Sequence, residues 1–443
     1  MTEALNSREI ALSVLLSVTK DGQYCHIALS AALERYQHLT KQDRSFITRL
    51  CEGTLERMIE ISYILDQFSK VRTEKMKPAI RCILQMGVYQ LKYMDSVPQS
   101  AACNEAVKLA VKKGFHHLKG YVNGVLRAVS RNLDTVSYPD ENSEPLYALS
   151  VRYSIPEWML LQWSRAYGIE KAELIASSFY KKKRISIRVN RMKTSVEQLR
   201  ERLSLQGIAA EPAVLAEYPD YDYAMYLSDY DYLSAIPEFR EGLFTVQDVS
   251  SMLVTHIAAP KAGSYVIDVC SAPGGKSLHA AEWMGGSGTV DARDLTEYKV
   301  KLIEENKERC GMENICIKRQ DARILDDTSI GKADLVIADL PCSGLGTLGK
   351  KPDIRFRMTE EKEMSLVKLQ REILSTVCQY VKPGGTLLFS TCTIDRMENE
   401  ENTAWFLQEN PKFILTAERQ FLPDEGEYDG FYIARMEKRQ EEL

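Results

Sequence analysis

Residues 264–284 read SYVIDVCSAPGGKSLHAAEWM, and the fold turns on this stretch. Tyr265 to Cys270 is an apolar run of strand length, Ser271 to Ser277 is a loop with adjacent glycines, and Leu278 opens a helix. The unit repeats downstream. GTVDARD at 288–294 predicts a second strand and LTEYKVKLIEENKERCG at 295–311 a second helix. ENICIKRQD (313–321), DLVIADLP (334–341) and GGTLLFSTCT (384–393) predict further strands, with a long helix over about 359–380. Strands alternating with helices of this size give an α/β, Rossmann-like, doubly wound parallel sheet over 247–443. Such sheets bind ligands beyond the carboxyl ends of their strands. The polar motifs here all follow apolar strands, so they should converge on one crevice.

Upstream the pattern changes. Residues 1–133 carry helical periodicity, with Asn6 and Glu9 at capping-box spacing, Thr40 opening a second long pattern, and Pro78 placed for a first helical turn. This predicts an all-α bundle with 19 Lys/Arg against 12 Asp/Glu, which suits ordinary solvated faces and an RNA-binding surface alike. Residues 134–155 are polar and acidic and read as a linker. Residues 156–246 read as a small α/β subdomain: short helices from Pro156 and Glu170, a strand at 185–190, and a helix capped by Thr194 with Glu197. It carries the basic residues Lys181, Lys182, Lys183, Arg184, Arg188 and Arg191.

Composition narrows the function classes. The 443 residues carry net charge -5, with 10 Cys and 6 His. No CxxC pair and no HExxH occurs, which argues against a disulfide scaffold and a zinc site, so no metal is expected. No stretch approaches the roughly 18 apolar residues of a membrane span. The start, MTEALNSREI, has no apolar core of an export signal, so a cytoplasmic protein is expected.

Three ligands compete for the loop Cys270-Ser271-Ala272-Pro273-Gly274-Gly275-Lys276-Ser277. A dinucleotide needs GxGxxG, which is absent. A phosphate-binding GxxxxGK[ST] loop is a near miss, because Cys270 occupies the first glycine position. S-adenosylmethionine suits adjacent glycines that admit backbone to its amino-acid end, with an acid at the end of the second strand for the ribose hydroxyls. Asp294 is that acid, 20 positions after Gly274.

Two cysteines follow core strands: Cys342 in Asp339-Leu340-Pro341-Cys342-Ser343-Gly344, and Cys392 in Ser390-Thr391-Cys392-Thr393. Most cytosolic cysteines are inert and buried; a pair on strand-end loops beside an acid is less often so. A thiolate adding to carbon 6 of a pyrimidine makes carbon 5 nucleophilic enough to take a methyl group. A base then removes the carbon-5 proton and the thiolate leaves. A carboxyl group near ring N3 and the exocyclic amine favours cytosine, and the base must leave its stack to react.

DVCSAPGGK, DLPCSGLGT and STCT together resemble the RNA cytosine-C5 methyltransferases. The resemblance continues in ISIRVN, FTVQDVSS, KPDIRFR and DGFYIARM and covers nearly the whole chain. The helical region resembles the RNA-binding domain of the NusB antitermination factor, and the small subdomain is expected to be RRM-like. The resemblance implies a methyltransferase acting on cytosine in 16S ribosomal RNA, of the cytosine 967 type, naked or in early small-subunit particles, as a monomer. It implies that Cys392 is the nucleophile, that Cys342 assists product release, and that Asp339 contacts both donor and cytosine. It assigns Cys270, Ser271, Ala272, Pro273, Gly274, Gly275, Lys276, Asp294 and Asp321 to the methyl donor. The DNA enzymes use the cysteine of a Pro-Cys motif instead. Ser271 replaces a common alanine, and Gly344-Leu345-Gly346 is a variable segment. A non-catalytic RNA-binding assembly or antitermination factor is the alternative from another class.

Overall fold

The computed structural model describes residues 6–36 and 39–440. The first five residues of the segment read against an export signal lie outside that range. The chain forms two compact units: residues 1–180 with 348–359, and residues 181–347 with 360–443.

The first unit is helical. Its opening helices are Ser7–Thr19, Cys25–Arg35, Lys41–Glu56, Met58–Phe68, Pro78–Tyr93, Gln99–Lys112 and Lys119–Asn132. Asn6 and Glu9 form the expected capping box, and Pro78 starts its helix. Ile47, Leu50, Ile61, Ile83, Leu84, Val122 and Leu126 are fully buried in one core. Helices Lys41–Glu56 and Pro78–Tyr93 meet at Gly53, where a β-carbon would fall 2.0 Å from the Tyr89 hydroxyl. Any larger residue would have to displace the Tyr89 ring.

The stretch 134–155 is not a plain linker. It contains the helix Pro145–Tyr153, which buries Ala148, Leu149 and Val151. The Ser154 hydroxyl then accepts a hydrogen bond from the Glu60 backbone N–H at 3.0 Å, satisfying a free donor in the first turn of Met58–Phe68. Helices Glu157–Tyr167 and Ile169–Ser178 group with this unit. The KPDIRFR motif packs here too: the Arg355 guanidinium donates to the Glu56 carbonyl at 3.2 Å.

The second unit holds two sheets. Strands β1 (Ile185–Val189), β2 (Ala209–Pro212), β3 (Ala224–Ser228) and β4 (Phe244–Val246) form a small antiparallel sheet in the order β2-β3-β1-β4. Its helix, Val196–Ser204, is capped by Ser195 with Gln198, one residue later than the Thr194–Glu197 pair suggested. Strands β5 (Tyr265–Asp268), β6 (Thr289–Asp294), β7 (Ile315–Arg319), β8 (Ala333–Asp339), β9 (Val381–Thr391), β10 (Phe413–Phe421) and β11 (Phe431–Lys438) form a seven-stranded sheet in the order β10-β11-β9-β8-β5-β6-β7. The five strands β5 to β9 pair in parallel, as expected. β10 and β11 add an antiparallel end. The chain passes from β5 to β6 on one side and returns to β8 on the other, so the order reverses at β5.

A candidate methyltransferase active site

The reversal point carries the glycine loop. Gly274, at φ +105, ends the loop and starts the helix Gly275–Trp283 in a backbone conformation that a β-carbon disfavours. Asp294, buried at the end of β6, ties the loop down by accepting from the Ala272 N–H at 2.9 Å. Ser271 is more than a stand-in for alanine. Its hydroxyl lies 2.8 Å from that of Ser277, which donates to Asp268 at 2.7 Å. Burial pushes the Asp268 carboxyl up to about 7. Sequence reasoning passed over Asp268, although an acid closing an apolar strand was a signal.

Two cavities share Cys270. One, of about 280 Å³, is lined by Asp294, Leu295, Asp321, Ala322 and Pro341. Acids at one end and apolar walls beside them suit a nucleoside. Asp321 sits in this wall with its carboxylate held by Arg323 at 2.6 Å. The other cavity, of about 240 Å³, is lined by Gln247, Gly275, Lys276, Asp339, Cys392 and Phe431. Between them the two linings hold Cys270, Ser271, Ala272, Pro273, Gly275, Lys276, Asp294, Asp321 and Asp339, while Gly274 lines neither.

The Lys276 ammonium donates to Asp339 at 2.6 Å. Burial alone would lower this group, but Asp339, Asp268 and Cys392 together hold it charged. This lysine faces an acid at the end of β8. Asp339 also accepts from the Ser390 hydroxyl at 2.9 Å, so the last residue of β8 is fixed from two sides.

The Sγ atoms of Cys342 and Cys392 lie 3.3 Å apart. Their surroundings differ. The hydrogen bond to Cys392, burial, and the nearby charges of Cys392, Glu398 and Asp339 all drive the Cys342 thiol upward. Cys392 lies instead among the groups that stabilise the Lys276 ammonium. Gly346 is sterically required, because a β-carbon there would fall 2.0 Å from the Gly430 carbonyl oxygen.

Of the basic residues around β1, Lys181 and Lys182 are exposed, while Lys183, Arg184 and Arg188 are engaged within the fold. Lys183 donates to the Pro423 carbonyl at 3.0 Å, Arg184 pairs with Glu427 at 2.7 Å, and buried Arg188 pairs with Glu282 at 3.4 Å. Arg191 stays largely exposed, 3.3 Å from Asp222.

Residues 255–437 match the family described as 16S rRNA methyltransferase RsmB/F, residues 5–131 the NusB family, and residues 155–218 the ferredoxin-like domain of RsmF/B-like methyltransferases. The probable ribosomal RNA small subunit methyltransferase B of Bacillus subtilis is 34% identical, with 98% of each chain covered. The ribosomal RNA small subunit methyltransferase B of Proteus mirabilis is 30% identical, over 99% of this chain and 100% of its own. Among solved structures, PH0851 matches 98% of this chain and 99% of its own with TM-score 0.82 and 25% identity. A methyltransferase homolog from Pyrococcus horikoshii matches 67% of this chain and 99% of its own with TM-score 0.59 and 26% identity. A bundle of NusB type, a small α/β part and a methyltransferase sheet thus follow one another along this chain, and the chain belongs to the RsmB/F family of S-adenosylmethionine-dependent 16S rRNA methyltransferases.

Proposed function

We propose that this enzyme methylates carbon 5 of a cytosine in 16S rRNA, of the cytosine 967 type, through a covalent bond between Cys392 and carbon 6. The contact of the two sulfurs beside Asp339 carries this reading. The donor, when bound, supplies an electrophilic methyl group. Cys392 adds to carbon 6 of an unstacked cytosine while Asp339 steadies the charge developing at N3 and the exocyclic amine. Carbon 5 takes the methyl group and loses its proton to a base; the bond to Cys392 then breaks, with Cys342, held protonated, assisting release. Cys270 to Lys276, Asp294 and Asp321 hold the donor. The scheme uses no metal ion.

The N-terminal bundle (1–133) supplies RNA affinity. Over 99–132 the sequence holds Lys108, Lys112, Lys113, Lys119, Arg127 and Arg131 against one acid, Glu105; all six cations are exposed, with Lys112 paired to Glu9 at 2.8 Å and Lys108 to Glu105 at 2.7 Å. The enzyme acts as a cytoplasmic monomer on RNA that is naked or in early particles. Among the described residues no helix is long and apolar enough to cross a membrane. The test is bisulfite sequencing of 16S rRNA from cells lacking the protein. Loss of one protected cytosine supports the reading, and an unchanged pattern rejects it.

A further inference from the structure

Both cysteine loops end on one dipeptide, Glu398-Asn399, whose side chains are fully buried and touch neither cavity. The Glu398 carboxylate accepts from the Ser343 N–H at 3.0 Å, from the Ser343 hydroxyl, and from the Gln370 amide at 2.8 Å. The same Gln370 amide donates to the Pro341 carbonyl at 2.9 Å. Cys342 is thus held from the residue before it and the residue after it. Asn399 does the same for Cys392. Its amide oxygen accepts from the Thr391 hydroxyl at 2.5 Å, and its amide nitrogen donates to the Thr393 carbonyl at 3.1 Å. The Ser343 and Thr393 hydroxyls, 2.8 Å apart, close the circuit between the loops.

We propose that Glu398 and Asn399 form a positioning pair that sets the Cys342–Cys392 sulfur spacing for the reaction. Neither touches substrate; each acts through the residues flanking a cysteine. Stability alone would be served by packing apolar side chains in this fully buried place, because a buried polar network confers little net stability. What it supplies instead is geometry, since each bond fixes one loop against the next. The charge of Glu398 also adds to the groups that keep Cys342 protonated. Two further acids, Glu363 and Asp395, come within 4.8 Å of Glu398. Burial raises Glu398 to about 7.

The proposal rests on the covalent reading above, and its test separates the two. Cys342→Ala with labelled RNA and S-adenosylmethionine is expected to accumulate a covalent adduct. If none forms, the covalent reading fails. In that background Asn399→Ala should slow adduct formation by roughly 10- to 100-fold, the cost of a displacement of about 1 Å, and with Cys342 present Glu398→Gln should slow release of the adduct by a similar factor. With both cysteines present, kcat should fall by the same factor. KM for RNA and the calorimetric Kd for the donor should stay within about 2-fold, a split that general destabilisation would not produce. Ser343→Ala, which deletes one hydroxyl and keeps the backbone bond, should reproduce the kcat loss if a dipeptide variant fails to fold. Unchanged adduct rates in the folded variants, or parallel losses in donor affinity and kcat, would overturn the proposal.

Discussion

Asp339 and Ser390 stand opposite each other in the register of β8 and β9, and the Ser390 hydroxyl donates to the Asp339 carboxylate at 2.9 Å. Cys342 lies three residues past the first and Cys392 two past the second. The loops therefore leave neighbouring parallel strands at the same level, which is how residues 50 apart in sequence bring their sulfurs to 3.3 Å.

The two cysteines should fail differently. Cys392→Ala removes the attacking thiolate, so neither methylated RNA nor adduct is expected. Cys342→Ala should still attack but release slowly, leaving RNA attached through denaturing electrophoresis. Serine at either site is a weak replacement, because its hydroxyl is barely ionised at neutral pH. An adduct in Cys392→Ala and none in Cys342→Ala would exchange the roles.

Asp339→Asn keeps the shape and removes the charge. Methyl transfer in a single turnover should fall about 10²- to 10³-fold, the usual cost of deleting one group that stabilises developing charge. Lys276, left without its partner at 2.6 Å, should also lose affinity for its surroundings, visible as a lower melting temperature. Unchanged single-turnover rates would remove Asp339 from the chemistry.

Asp294→Ala should raise the Kd for S-adenosylmethionine. Hydrogen bonds to a charged acceptor contribute about 1.5–3 kcal/mol, which corresponds to roughly 10- to 150-fold in affinity. Part of the effect comes through the glycine loop, since Asp294 also anchors the Ala272 N–H. Calorimetry is the measurement, and an unchanged Kd would reject the assignment.

Features that depend on near neighbours were legible in the sequence: the Asn6 capping box, the first-turn Pro78, the strand–loop–helix at 264–284, and the two cysteine motifs. Features that depend on distant partners were not. Ser154 caps a helix that begins 96 positions earlier, so nothing local marked 145–153 as part of a folded unit. Arg188 sits in a basic run yet is buried against Glu282, a partner 94 residues away. Asn399 looks like an ordinary polar residue before a helix until Thr391 and Thr393 are seen on either side of it.

RNA affinity should depend on the cations at 99–132. Reversing Lys113 and Arg127 to Glu should weaken binding and reduce the salt slope by about one for each phosphate no longer neutralised. Donor affinity should not change. Truncation at residue 133 is a poorer test than these reversals, because it strips the Pro145–Tyr153 helix of the helix it packs on, Met58–Phe68. An unaltered salt slope would move the RNA surface elsewhere.

Asp395 gives stability a particular pH dependence. Burial raises its carboxyl to about 6, above the unfolded value of about 3.9. Its contribution is full below pH 3.9 and is lost as pH rises toward 6, at up to about 1.4 kcal/mol per pH unit. Asp395→Asn keeps an acceptor for the Glu398 N–H and removes that slope. Urea unfolding between pH 4 and 7 should show the variant gaining on the wild type as pH rises. A constant difference would reject the assignment.

The level exit of both loops from β8 and β9 has a consequence for how this enzyme tolerates change. Adjacent strands sit about 4.8 Å apart whatever side chains they carry, so the level from which the two loops start is inherited from backbone pairing, and the side chains of Glu398 and Asn399 act only above it. A substitution within β8 or β9 that preserves the pairing leaves that level in place. The cost falls at high temperature. β8 and β9 lie inside the sheet, with neighbours on both sides, so parting them means melting the domain. Heat inactivation should coincide with global unfolding, with no earlier loss of activity from a loosened site.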